Sequence, residues 1–313
     1  MRIVLLGATG FVGHHLLPVL SQAGHQCLVL CRYKPGCREL ALIPGVQLRQ
    51  GDIQNPEFLS AQLQAADAVI NLVGILNESG RTGIGFHKVH VELVQKLIAA
   101  CNDAGVKRLL HMSALNAGIG SSHYLISKGE AEDLIRNAPD IKSTIFQPSV
   151  IFGDGDAFFN RFASLLKFAP LLPLACPQAK MQPVWVGDVA AAMTAALQDP
   201  ETGGKTLVLV GPQQYSLKQL VEMTACCLGL KRKVIGLSGA MSRLQGRLMD
   251  FVPGKPFSSD NYLSLQTDNI SSENALPHFG IRPRPVEAVL GDYLVGSVHQ
   301  EQLNRCRELS ADR

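Results

Sequence analysis

Tyr124 and Lys128 stand four residues apart in Tyr124-Leu125-Ile126-Ser127-Lys128. On a helix that spacing puts both side chains on one face. A lysine ammonium there lowers the pKa of the neighbouring phenol. The phenol then exchanges a proton with a carbonyl or hydroxyl substrate. A further hydroxyl is expected to orient that substrate. Ser113, in His111-Met112-Ser113-Ala114, ends an apolar run and is the candidate. Ala114 stands next to it, and Ser121 and Ser122 lie nearer Tyr124 in sequence, so the hydroxyl is either Ser113, shifted or missing. A tyrosine and lysine that merely line a cofactor pocket fit the same spacing.

A second constellation is Gly7-Ala8-Thr9-Gly10-Phe11-Val12-Gly13, which follows an apolar run and opens a helical pattern. In that context each glycine has a task. Gly7 permits the tight turn, Gly10 lets the backbone approach a pyrophosphate, and Gly13 lets the helix pack against the strand. The helix N-terminus offers free N–H donors and the positive end of its dipole. The guest expected is a nicotinamide dinucleotide. The second strand ends Leu30-Cys31-Arg32-Tyr33-Lys34, without the carboxylate that would hold a ribose 2′-hydroxyl. Arg32 can pair with a 2′-phosphate and stack on adenine, and Lys34 adds charge. The expectation is therefore NADP(H), with NAD(H) as the alternative. A solvated loop with two cations is the bland reading. Leu72, Val73 and Gly74, where the fourth strand ends, should run beside the riboses, and Met112 is counted with the cofactor contacts.

The elements that must position these residues alternate in type. Strands are expected at 3–6, 26–31, 46–50, 68–73, 108–113 and 143–147, and helices at 12–22, 86–104 and 122–137. Such alternation means crossovers and a parallel sheet covered on both faces. The fold class is α/β: a doubly wound Rossmann sheet with a smaller, mostly helical C-terminal lobe. The expected division is 1–150 for the NADP(H)-binding domain and 151–313 for the lobe. Segments around 182–210 complete the sheet, with a strand at 183–186, a helix capped by Asp188 and running to Leu197, and a last strand at 206–210. A capping box, Ser216 to Gln219, opens a helix to Cys227. Further helical patterns lie around 239–251, 259–265 and 285–295, and the tail from about His299 is polar and expected to be loose.

Composition narrows the classes. Twenty-nine basic against 26 acidic residues leave a charge of +3, spread along the chain, so nucleic acid is not an expected partner. The eight cysteines form no CxxC pair, which speaks for a reducing compartment. The first apolar run is a strand and not a leader. No run of about 18 apolar residues exists to span a membrane. The expected location is the cytoplasm, with peripheral contact to an inner membrane as the exception. That exception rests on 237–252, where Leu237, Met241, Leu244, Leu248 and Val252 recur at helical spacing with Arg243 and Arg247 expected opposite them. This segment could lie on a membrane, contact a protein complex, cover a hydrophobic small-molecule substrate, or simply pack on the lobe. His87 and His90, one turn apart, lack a third ligand, so no metal is expected.

The GxxGxxG start, with YxxxK after the fifth strand, resembles the short-chain dehydrogenase/reductase superfamily. Segments 65–74, 86–115, 147–163 and 182–193 are similar to its atypical branch. That branch includes the dehydrogenase-like accessory subunit of respiratory complex I and its bacterial relatives. The resemblance implies cofactor contacts at Gly7, Thr9, Gly10, Phe11, Val12, Arg32, Asp52, Ile53, Leu72, Val73, Gly74, Tyr124, Lys128 and the turn Gln147-Pro148-Ser149-Val150. Asp52 fits the family's adenine-amine acceptor, or alternatively an N-cap or Asx turn before the next helix. The resemblance implies an oxidoreductase on a carbonyl or hydroxyl substrate. The alternative is a non-catalytic NADP(H)-binding protein with a structural, assembly or redox-sensing role. A sugar-nucleotide epimerase ranks below both, since the lobe shows no basic cluster suited to a diphosphate.

Overall fold

A computed structural model describes residues 1–253 and 255–295. Six strands arise from the apolar runs: β1 (Arg2–Leu6), β2 (Gln26–Cys31), β3 (Val46–Gln50), β4 (Ala68–Asn71), β5 (Arg108–Met112) and β6 (Lys142–Pro148). The short strands β7 (Ile151–Phe152), β8 (Leu171–Leu174), β9 (Lys180–Met181) and β10 (Val184–Trp185) follow, then β11 (Lys205–Leu209), β12 (Tyr215–Ser216) and β13 (Lys233–Gly236). The main sheet is seven-stranded in the order β11-β6-β5-β4-β1-β2-β3, every pair parallel. The chain winds outward from β1 in both directions, so the crevice lies at the strands' C-terminal ends between β1 and β4. In register, Leu6 stands level with Leu30 and Asn71, and Asn71 with His111.

Helices α1 (Phe11–Gln22), α2 (Pro56–Leu63), α3 (Ile84–His87), α4 (Leu93–Ala104), α5 (His123–Arg136), α6 (Phe158–Phe168) and α7 (Val186–Gln198) come next in order. Side chains alternate across a strand. Ile3 and Leu5 accordingly join Leu16, Leu17 and Leu20 of α1 and Val189 and Met193 of α7 on one face. Val4 and Leu6 join Leu59 of α2, Leu97 of α4 and Ile135 of α5 on the other. This is the doubly wound sandwich expected. A third core holds Phe152, Phe159 and Leu166 with Leu220 and Val221 of α8 (Leu217–Cys227) and Leu290 and Tyr293. Residues 286–295 are helical; the chain beyond, including the polar tail, lies outside the described residues. Helices α9 (Gly239–Met249) and α10 (Ser259–Ser264) complete the lobe. Among the described residues no helix is long and apolar enough to cross a membrane.

Three expectations change. The helix expected at 86–104 begins at Ile84 and carries a π-helical turn over Lys88–Glu92. Such turns recur at functional sites, and this one holds His90, which faces Tyr124. The strand expected at 183–186 shrinks to β10, which pairs with β7 outside the main sheet, so β11 alone completes that sheet. Asp188 does not cap α7, because the helix already starts at Val186; its buried carboxylate accepts the Arg284 N–H at 2.8 Å.

Asp156 binds the lobe together. Its carboxylate accepts the Gly153 and Phe159 N–H groups and the Tyr293 hydroxyl at 2.6 Å. Burial pushes its pKa up, against these hydrogen bonds. Truncation leaves buried donors without an acceptor. Asp156→Ala is therefore expected to lower the unfolding free energy by roughly 2–4 kcal/mol. A denaturant titration showing a loss under about 0.5 kcal/mol, the usual range for surface changes, would contradict this.

Candidate active site

Gly7 sits at φ +77°, and a Cβ there would lie 2.8 Å from the Leu72 carbonyl carbon and the Val73 nitrogen. The first turn thus rests on the chain leaving β4. At Gly13 a Cβ would lie 2.1 Å from the Ala8 oxygen, so only glycine lets α1 pack this close. Gly10 differs: its nearest neighbour would be the Gly7 oxygen at 3.3 Å, and the residue is exposed. Gly10 N-caps α1 without a side-chain acceptor, and the first turn carries no acid. The first-turn N–H donors therefore face a place where an anion fits. Thr9 is exposed beside them, and Val12 packs on the core. Phe11 packs edge-on against His15, whose Nε2 lies 2.8 Å from the Asp154 carbonyl oxygen. These contacts join the glycine loop to the loop after β7.

Arg32 follows β2, exposed, with no hydrogen bond or ion pair among the described residues. Lys34 is also exposed, and its N–H donates to Gln50 Oε1 at 3.2 Å. The turn after them is drawn toward α1 by His14, which lies 2.9 Å from the Gly10 oxygen and 3.4 Å from Glu39. Asp52 Oδ1 accepts the Gln54 N–H at 2.9 Å, an Asx turn that leaves its second oxygen uncommitted. Ile53 and Val73 pack on one core and Leu72 on the other.

Ser122 is buried and caps α5, its Oγ accepting the Leu125 N–H at the helix start. Ser121 is exposed. Asp260, from α10, accepts the His123 and Tyr124 N–H groups at 2.6 and 3.2 Å. The lobe thereby fixes the start of the helix that carries Tyr124. Lys128 is buried, and its Nζ donates to the Met112 carbonyl at 3.0 Å. A Cβ on Gly74 would lie 3.4 Å from that Nζ and 3.7 Å from His90 Nε2. The half-buried Tyr124 ring stands edge-on to Phe86 and His90 at 6.0 and 5.7 Å. His90 Nε2 accepts the Ile75 N–H at 3.2 Å, so the proton sits on Nδ1 and is donated to Ser127 Oγ at 2.8 Å. Ser127 in turn donates to the Tyr124 carbonyl. Sequence spacing alone had set His90 aside as half of a weak metal pair. Its partner His87 instead turns out to Glu92.

Burial dominates the acid–base character. It pushes the Tyr124 hydroxyl up to about 12 and the Lys128 ammonium down to about 8, the latter opposed by Glu132. It also holds His90 neutral, down at about 2, with Lys128 and His111 adding to the effect. The expected lowering of the tyrosine pKa by the lysine is absent here. The ammonium gives one of its N–H groups to a backbone carbonyl, and no hydrogen bond joins it to the phenol among the described residues.

Ser113 Oγ is buried at the end of β5 without a partner, as is His111 Nε2. Orphaned donors and acceptors at a sheet's carboxyl end are what a polar ligand would satisfy. The turn 147–150 looks inward. Gln147 bonds the Glu132 carboxylate, Ser149 bonds Asn269, and the Val150 N–H donates to Asn269 Oδ1. These bonds tie the turn to α5 and to Asn269, while Gln147 and Val150 stay partly exposed. A cavity of about 120 Å³ opens beside Phe86 and His123, walled also by Glu78, Arg81, Asp250 and Lys255.

These residues fit a dinucleotide: an uncommitted helix N-terminus, a glycine that leaves room, and a buried lysine and half-buried tyrosine at the same end of the sheet. The comparisons agree. Residues 3–211 match the NAD dependent epimerase/dehydratase family. The chain is 30% identical over 289 residues to NADH dehydrogenase [ubiquinone] 1 alpha subcomplex subunit 9, mitochondrial, of Arabidopsis thaliana, covering 87% of this chain and 71% of that one. It is 29% identical over 251 residues to a ceramide reductase of Caulobacter vibrioides, covering 79% and 77%. In three dimensions it resembles the dTDP-glucose 4,6-dehydratase of Streptomyces venezuelae, solved with NAD, at a TM-score of 0.73 and 18% identity over 94% of this chain and 96% of that one. The kinship with the complex I subunit group, read from four segments of sequence, is borne out. The chain belongs to the NAD dependent epimerase/dehydratase family, whose members are NAD(P)-dependent oxidoreductases and epimerases on this Rossmann fold.

Proposed function

We propose that this chain is an NADP(H)-dependent oxidoreductase that reduces a carbonyl group, with Tyr124 as proton donor. The observation that carries the proposal is the placing of Tyr124 and the buried Lys128 at the same end of the sheet as the glycine loop. The nicotinamide, when bound, supplies the hydride. Tyr124 holds its proton throughout the neutral range, which suits donation to a developing alkoxide. Lys128, charged below about pH 8 and with N–H groups left over from its bond to Met112, would anchor a ribose hydroxyl. Ser113 Oγ, unpartnered, would donate to the carbonyl oxygen. The α1 N-terminus would hold the pyrophosphate, and Arg32 the 2′-phosphate. Against NAD(H), the nucleotide of the solved dehydratase, stands the absence of a carboxylate after β2. The ceramide reductase relative supports the reductive direction.

A second reading is a nucleotide-binding protein without turnover. It is favoured by the Lys128–Met112 hydrogen bond, by Ala114, and by kinship to a complex I subunit. Consumption of NADPH with a panel of long-chain ketones and aldehydes separates the two. Oxidation dependent on one substrate class supports the first reading, and none with any member of the panel supports the second.

A further inference from the structure

Helix α9 faces the opposite way from a core helix. Its buried positions are Ser242 and Gly246. Ser242 Oγ accepts the Cys176 N–H at 3.1 Å, and a Cβ on Gly246 would lie 3.2 Å from the Ser258 oxygen. Small residues thus seat the helix, and its large apolar residues look outward. Met241 is 55% exposed, Leu244 56% and Leu248 60%, and Phe251, just past the helix with Arg81 stacked on its ring, is 74% exposed. Single exposed hydrophobes are ordinary, but a helical row of them marks an interaction site. Arg243 and Arg247, both exposed, lie between the seated edge and this row.

Charge says what the row meets. Residues 231–255 hold six basic side chains and one carboxylate, Asp250, in a chain whose total is only +3. Lys231 and Lys233 are exposed with the two arginines. Asp250 is turned inward, accepting from Ser259 and lying 3.9 Å from Arg81. An outward apolar stripe flanked by cations, on a helix held from behind by its own protein, is the pattern of an in-plane interfacial helix.

We infer that α9 docks the protein on an anionic lipid bilayer, its apolar row entering the headgroup boundary and Arg243 and Arg247 meeting lipid phosphates. Flotation of the full chain with phosphatidylcholine vesicles, with and without phosphatidylglycerol, tests this. The native protein should float with the anionic vesicles, weakly with the neutral ones, and be released as salt rises. The double variant Leu244→Glu/Leu248→Glu should lose at least about tenfold in partitioning. Its melting temperature should be unchanged, because both side chains are exposed. A native protein left behind by anionic vesicles would overturn the proposal, as would a double variant that floats like the native one. A native dimer that the variant converts to monomer, without flotation, would assign the row to a second copy and overturn it too. None of these readouts depends on turnover.

Discussion

Tyr124→Phe is expected to reduce carbonyl reduction by about 10²–10⁴-fold, the range for losing a positioned general acid, while NADPH affinity changes less than about threefold. The phenol touches Phe86 and His90 through its ring and makes no side-chain hydrogen bond among the described residues. Phenylalanine therefore keeps the packing and removes only the proton. The pH profile follows from the same groups. The phenol stays protonated to about pH 12, so it imposes no limit in the neutral range. Lys128 loses its charge above about pH 8, so kcat/KM for reduction should be flat below that pH and fall above it. Single-turnover kinetics with the active substrate class read both effects. A variant with native turnover would remove Tyr124 from the chemistry.

Lys128→Met should separate stability from function. The native lysine is buried and its pKa is lowered from 10.5 to about 8. Between these values the unfolded chain binds more protons than the folded one, so this residue makes stability rise with pH there. Below about pH 8 its full burial penalty is present; above 10.5 it is gone. Methionine has nearly the same length and carries no charge, though it leaves the Met112 carbonyl without its donor. The variant is thus expected to be more stable than the native protein by roughly 1–2 kcal/mol at pH 7, the penalty less the lost hydrogen bond. The advantage should shrink as pH rises above 8 and reverse by about 10.5, where the burial penalty is gone and only the lost hydrogen bond remains. Turnover should fall with it, since the ribose anchor is gone. Urea titrations at several pH values check this, and a variant less stable than native at pH 7 contradicts it.

Much of this was legible in the sequence. Apolar runs mark the inner strands, because two-sided burial demands continuous apolar residues, while the edge strand β3 shows only alternation, Val46 and Leu48 buried. The glycine spacing marks the loop because backbone clashes, at 2.1 Å for Gly13, leave no other residue type. What was not legible depends on contacts between distant segments. Asp260 holds the N-terminus of α5 from 136 residues away, and nothing local marks it. His90 reaches Tyr124 through a π turn that helical periodicity does not reveal. Ser122 and Ser113 look alike as hydroxyls, and only the fold shows one spent on a cap and the other unpartnered. Periodicity also found the apolar row of α9 but not the direction it faces, because a stripe on a helical wheel has no inside until its neighbours are placed.

The central claim is that the crevice holds NADP(H) and reads its 2′-phosphate through Arg32. Titration of the native protein and Arg32→Glu with NADPH and NADH, followed by nucleotide fluorescence, tests it most directly. The native protein should bind NADPH at least about tenfold more tightly than NADH, as loss of a charge-assisted pair implies, and Arg32→Glu should erase or reverse that preference. Equal or tighter binding of NADH by the native protein, or a preference that survives in Arg32→Glu, would contradict it.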